Sequence, residues 1–480
     1  MKLAKLSLLG GRVKSGRPGC RSRRCRLSLT IVAILGALAS GCSSGKAPAT
    51  TNPDPAPNPQ GSSKLYFAPS LGDVYASTYS IDHSANSFVR KVYGFNNSPA
   101  NGATVTDSGI ISKLSNGVLS LETAFNESGT GTTTTYNPPL KGSWAVEIPG
   151  QAGLVGMRDY TNFTPIVPTG SCPNLAKAET LLFVTIPNHL STNATTIAAN
   201  SWNPQMETAF GTVDVTTDGT SVQFLNVKQF AFPASDGQSA ALAYPGPGSA
   251  TSVCSPTFYG QTMGVPVTVD VIDPGTTETV PPSATIGIGP SGFLVEDAGS
   301  SQIQGEPYEN ILGAGFGAIG LPTPSGPIGA SILTGARFQG FLYGSGGPVN
   351  SSESAAGFSF AGSFGYQNLK ASCPALPAPA NGTTIFGGEY EKNDPSAHAS
   401  GNCDVAIDLG KQDASKNGLY KAAKVYVASS FPTNTTGKVY SFPAVAIAGQ
   451  ISGKLAIFLI GTDLQGAPQQ AWGIYLLQTN

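Results

Sequence analysis

One short stretch, DLGKQDASKNG, places Asp408, Asp413, Asn417 and Gly418 close together. Oxygen atoms gathered in a turn are the chemistry of calcium, which takes roughly six to eight of them. Asp and Asn also build turns on their own, by bonding back to nearby backbone. Asp408, Asp413 and Asn417 are therefore the candidate metal ligands, while the expectation for the chain is no metal and no cofactor. A second cluster, Glu389-Tyr390-Glu391-Lys392-Asn393-Asp394 with His398, lies between Cys373 and Cys403. Paired carboxylates act as acid and base when they converge across a cleft. Neighbours on one loop do not establish that, so this cluster reads as a solvated loop.

Other chemistry is sparse. The whole chain has 3 His. His83 follows Asp82 in a hairpin, and His189 follows Pro187-Asn188 after a strand; both read as surface or edge residues. A serine hydrolase needs an activated nucleophile, but no G-x-S-x-G motif occurs, and Gly289-Pro290-Ser291-Gly292 reads as a β-turn. Gly315-Phe316-Gly317-Ala318-Ile319-Gly320 matches G-x-G-x-x-G. The dinucleotide motif requires a helix to follow, and Leu321-Pro322-Thr323-Pro324 cannot supply one. Trp144 and Trp472 sit in strand patterns and read as core; Trp202 is the third tryptophan.

The remaining reactive residue is Cys42, at the end of the apolar run Leu27–Cys42 (LSLTIVAILGALASGC). Nine basic residues and no acidic one precede Cys42. A positive region, a short apolar run and a small-residue end are the parts of an export signal. The run is shorter than the roughly 18 apolar residues of a spanning helix. Leu38-Ala39-Ser40-Gly41-Cys42 resembles the lipobox of bacterial lipoproteins, with Ala39 where that family more often has Leu. The resemblance implies cleavage before Cys42 and a diacylglyceryl thioether on its sulfur. With further acylation, such an attachment becomes a lasting bilayer anchor. Ser22-Arg23-Arg24 lacks the aromatic of a twin-arginine signal and reads as chance basic clustering.

This divides the chain into a signal peptide (1–41), a lipidated cysteine with a Pro/Ser-rich tether (42–63), and a body (64–480). The tether SSGKAPATTNPDPAPNPQGSS has little to bury and provides reach. Ser43 carries no acidic retention signal, which favours the outer membrane if the organism has one. Removing nine basic residues from 27 leaves 18 against 28 acidic ones, a charge near −10. An acidic body lacks the clustered Lys and Arg that nucleic acid demands. In an exported chain the four body cysteines, Cys172, Cys254, Cys373 and Cys403, read as two disulfides. Three pairings are possible. Cys172–Cys254 with Cys373–Cys403 is favoured because sequence neighbours close the smaller loops, each contributing roughly 3–5 kcal/mol.

The elements that must position these residues are strands. Charged residues make up 11% of the chain, with 59 Gly and 37 Pro, the composition of an all-β protein with many turns. Leu181–Ile186 is a continuous apolar run closed by Pro187, the pattern of an inner strand. Asp218-Gly219 marks a hairpin between Phe210–Val215 and Ser221–Val227. Ala444–Ala448, Lys454–Ile460 and Ala471–Leu477 form a strongly patterned end. Between 25 and 30 short strands are expected, with no helix longer than two turns.

The wording LYFAPSLGDVYASTYSIDHSANSF resembles blades of lactonase-type β-propellers. That resemblance implies a propeller, here of six or seven blades, closed by the strand at Leu65 lying beside Ala444–Leu477. Tandem β-sandwich modules are the alternative. The preferred function is a non-enzymatic binding or scaffold role at the cell envelope, with an envelope polymer, glycan or protein as ligand. The rival is a propeller hydrolase, lactonase-like or glycan-acting, with carboxylates or a metal at its central funnel.

Overall fold

A computed structural model describes residues 63–68, 75–94, 105–114, 117–156, 163–169, 179–186, 209–217, 221–232, 241–243, 250–253, 257–258, 261–262, 269–272, 279–298, 317–344, 358–366, 383–389, 405–428, 439–462 and 471–480. Among these residues the chain is all-β, with 27 strands and one helix, α1 (Ala330–Leu333).

The first eight strands are β1 (Ser63–Ala68), β2 (Tyr75–Asp82), β3 (Ser87–Gly94), β4 (Val105–Lys113), β5 (Leu119–Ser128), β6 (Thr133–Ile148), β7 (Ala152–Gly156) and β8 (Phe163–Pro168). Each runs antiparallel to the next, and β8 returns to β1 through Tyr66↔Pro168 and Phe67↔Val167, closing a barrel. A sheet follows, built from β9 (Glu179–Ile186), β10 (Ala209–Thr217), β11 (Ser221–Ala231), β12 (Ala241–Ala243) and β13 (Ala250–Val253). After a small hairpin of β14 (Thr257–Phe258) and β15 (Gln261–Thr262), it continues with β16 (Val269–Ile272), β17 (Thr279–Ile288), β18 (Leu294–Ala298) and β19 (Gly317–Pro322). Its order is β12-β11-β10-β9-β19-β18-β17-β16, with β13 on β11. The last eight strands are β20 (Arg337–Gly344), β21 (Phe358–Tyr366), β22 (Thr384–Glu389), β23 (Val405–Asp408), β24 (Leu419–Ala428), β25 (Val439–Ile451), β26 (Lys454–Thr462) and β27 (Ala471–Gln478). They close a second barrel, β27 pairing with β20 from Phe338↔Gln478 to Gly344↔Trp472.

This replaces the expected propeller. The described strands do not divide into four-stranded blades, and in place of tandem sandwich modules there are two closed barrels with an open sheet between them in the chain order. The strand at Leu65 pairs within its own barrel, with Ser80, rather than beside Ala444–Leu477. Period-two patterning is the same in a blade and in an up-and-down barrel. What separates them is the long-range pairing of first and last strands, and no local signal encodes it.

Alternation decides what each strand faces. Tyr66, Tyr79, Phe88, Leu119, Leu121, Ala145, Val155 and Ile166 pack together as one buried cluster of the first barrel. Their opposite-face neighbours Phe67, Trp144, Val146, Leu154 and Val167 join a larger core. That core also takes Leu182, Val184 and Ile186 of the sheet and Phe341, Val445, Phe458 and Tyr475 of the second barrel. Leu181 and Phe183, on the other face of β9, are buried as well. A strand covered on both faces must be apolar throughout, which is the run read in the sequence. The second barrel packs Phe338, Ile385, Ile407, Tyr420, Leu455, Ile457 and Trp472 together. Its β25–β26 hairpin turns on Ser452 and Gly453, with φ of +49° and +80°, the conformation a two-residue turn demands. Among the described residues, no helix is long and apolar enough to cross a membrane.

Candidate functional site

The turn-rich stretch from Asp408 to Lys421 connects β23 to β24, and its side chains hold it in one shape. Asp408 Oδ1 accepts the Gly410 amide at 3.0 Å. Asp413 Oδ1 accepts the amide of Ser415 at 2.8 Å and its hydroxyl at 2.6 Å. Asp413 Oδ2 lies 2.8 Å from Lys421 Nζ. Lys421 and Ser415 together hold the Asp413 carboxyl at about 2, below the ordinary carboxylate range. Asn417 Oδ1 accepts from Gln412 Nε2 at 3.0 Å, while Gln412 Oε1 accepts the Gly418 amide at 2.9 Å. The three candidate metal ligands are thus engaged in local bonds. Among the described residues, no group of three or more His, Cys, Asp or Glu is placed to hold a metal ion.

The same loop does something its turn residues did not announce. Ala414, Ser415, Lys416 and Asn417 face Glu179 and Thr180 of β9 and Pro322 and Thr323 at the end of β19, across a cleft of about 530 Å³. Two glycines let the second barrel approach the sheet here. A Cβ at Gly449 would come 2.9 Å from the Pro322 carbonyl oxygen, and one at Gly418 would come 2.8 Å from Pro324 Cδ. On the sheet side, the Thr323 amide donates to Thr180 O at 2.9 Å, extending the β19–β9 ladder. Thr180 Oγ1 donates to Asp214 Oδ1 at 2.7 Å, and Asn226 Nδ2 donates to Asp214 Oδ2 at 2.9 Å.

Burial raises the Glu179 carboxyl above its usual range. Among the described residues, neither Glu179 nor Lys416 has an ionic or hydrogen-bonding partner for its charge. The Thr323 hydroxyl is buried with no partner either. An unmet buried hydroxyl costs about 1–3 kcal/mol. The cleft can bind and orient a polar molecule, and among the described residues no nucleophile–base pair lines it.

A second polar group closes one end of the first barrel. Glu147 of β6 lies on the face of Ala145, turned away from the side that Trp144 and Val146 present to the larger core. Tyr66 donates to Glu147 Oε2 at 2.9 Å, His83 bonds Glu147 Oε1, and the Gly150 amide donates to Tyr66 Oη at 2.8 Å. Burial, then the nearby Glu147 charge, pushes the Tyr66 phenol well above its ordinary range. His83 stands in the β2–β3 turn, where Asp82 accepts the Ser84 and Ala85 amides at 2.8 and 3.0 Å. Sequence reasoning took His83 as a surface or edge residue and missed Tyr66 and Glu147, which come from strands 81 residues apart. The position of Glu147 on the Ala145 face of an alternating strand was the available signal.

Other expectations fall into place individually. Ser291 lies in the β17–β18 turn and donates to Gln151 Oε1. Gly317–Gly320 is part of β19, a tight strand beside Leu182. Trp144 and Trp472 are buried. Glu389 ends β22. Cys42, Cys172, Cys254, Cys373 and Cys403 lie outside the described residues, as do Tyr390–Asp394, His398, His189 and Trp202.

No family model matches the chain, and no curated protein matches it. Among solved structures, the isotype 1 transferrin binding protein B from serogroup B Neisseria meningitidis is similar at 10% identity and a TM-score of 0.20. The match covers 84% of this chain and spans 65% of that one. A likeness at that score carries no argument about fold or activity.

Proposed function

We propose that the chain is a lipid-anchored cell-envelope protein whose all-β body binds a ligand without transforming it. The observation that carries the binding reading is the cleft between β9, β19 and the Ala414–Asn417 loop. It is lined mainly by polar side chains, and it contains charged groups with no partner of their own. The envelope reading rests on the export signal, the lipobox at Cys42 and the tether to residue 63. On this reading the body stands off the bilayer on its tether, facing the periplasm or cell surface in a Gram-negative cell. Cys172, Cys254, Cys373 and Cys403 are then oxidised in pairs. The rival hydrolase reading placed its carboxylates at a propeller funnel, and the described strands form barrels instead.

The test is fractionation of full-length wild type and Cys42→Ala after metabolic labelling with palmitate. The expected result is label and membrane association in the wild type, and loss of both in the variant. Equal membrane association of the two chains, with identical processing, would overturn the anchored reading.

A further inference from the structure

The cleft lining narrows the chemistry of what it takes, an inference that rests on the binding reading above. Glu179 approaches from the sheet and Lys416 from the second barrel, and no ion pair joins them. Thr180 and Ser415 both line the cleft with hydroxyls that already donate to carboxylates, Asp214 and Asp413, so each offers the cleft an acceptor. Asn417 has its oxygen engaged by Gln412, which leaves its amide N–H groups as donors. We propose that the cleft binds a short peptide with free ends, its ammonium terminus toward Glu179 and its carboxylate terminus toward Lys416.

Each alternative leaves something unmet. A simple cation satisfies Glu179 and is opposed by Lys416, and a simple anion meets the reverse conflict. A neutral sugar leaves both charges without a counter-ion, and the described residues lining the cleft include no aromatic ring on which a sugar could stack. A peptide matches the acceptors with its N–H groups and the Asn417 donors with its carbonyls. Glu179 gives up part of its water to the protein, and an ammonium group returns the charge interaction it lacks.

The experiment is equilibrium dialysis of the detergent-solubilised full chain at neutral pH against a mixed pool of free-ended tripeptides, read by mass spectrometry. Matching pools are acetylated at the N-terminus or amidated at the C-terminus. Free-ended peptides are expected to be retained, and each blocked pool about tenfold less well. Glu179→Gln is expected to abolish the preference for a free N-terminus, and Lys416→Met the preference for a free carboxylate, with melting temperatures near wild type. No retention of free-ended peptides, or equal retention of blocked and free pools, would overturn the proposal. Palmitate labelling and membrane release of Cys42→Ala do not depend on the cleft, so the anchored reading and the peptide reading fail separately.

Discussion

Gly156 of β7 lies against the ring of Phe341 in β20, so closely that a Cβ on Gly156 would come within 2.2 Å of Phe341 Cε1. Here the two barrels touch directly, and Phe341 belongs to the core they share with the sheet. Tyr475, the register partner of Phe341 on β27, donates its Oη to the Thr185 carbonyl at 3.2 Å, tying β27 to β9 across 290 positions of sequence.

Gly156→Ala is expected to destabilise the body by about 1–3 kcal/mol, the usual cost of forcing a methyl group into a packed contact. Chemical denaturation measures it. Phe341→Leu alone also destabilises by removing buried apolar surface, but the double variant should lose less than the two single losses together. A double-mutant cycle with no coupling would show that the two residues are not in contact.

Inside the second barrel the same device operates between neighbours. Gly461 pairs with Trp472 across β26 and β27, and a Cβ on Gly461 would come 2.2 Å from Trp472 Cζ2. Gly461→Ala should displace the indole and lower the thermal midpoint, with a red shift in tryptophan emission as the ring meets water. An unchanged emission maximum would contradict this packing.

Asp413 should contribute to acid sensitivity. Its folded carboxyl lies at about 2, against an ordinary value of 3.8, through Lys421 and Ser415. A depressed acid stabilises the fold above its unfolded value and loses that contribution as pH falls toward 2. Lys421 is substantially exposed, so the effect is at most about 1 kcal/mol. Asp413→Asn should therefore narrow the difference in urea midpoint between pH 6 and pH 3 compared with wild type.

Glu179 should do the opposite. Its folded carboxyl is raised by desolvation, so its ionisation opposes folding once pH rises through the raised value, and the penalty vanishes below the ordinary glutamate range. Glu179→Gln is expected to be neutral near pH 4 and slightly stabilising near pH 8. A variant less stable than wild type at pH 8 would mean that Glu179 has a cationic partner in the free protein.

Much of the local structure could be read from the sequence because strands announce themselves through nearest neighbours. The apolar run Leu181–Ile186 lies at the centre of the sheet, the Asp218-Gly219 pattern falls between paired β10 and β11, and the last three patterned segments are β25, β26 and β27. The candidate site could be read only in part. Asp413 and Asn417 stood out as turn residues, and turn chemistry is what they perform. The cleft that Asn417 borders needed Glu179 and Thr323, which carry no motif and lie far away along the chain.

Composition and alternation by themselves determined the all-β class and the placement of most strands, because each depends on a residue and its near neighbours. The tertiary structure decided how the strands close. Pairing Phe67 with Val167 and Leu342 with Ile474 makes two barrels where the same strand pattern could have made blades. It also decided that Glu179 and Lys416 share a cleft. Such contacts join residues separated by a hundred positions or more, and their free energy appears only when the intervening chain has already folded.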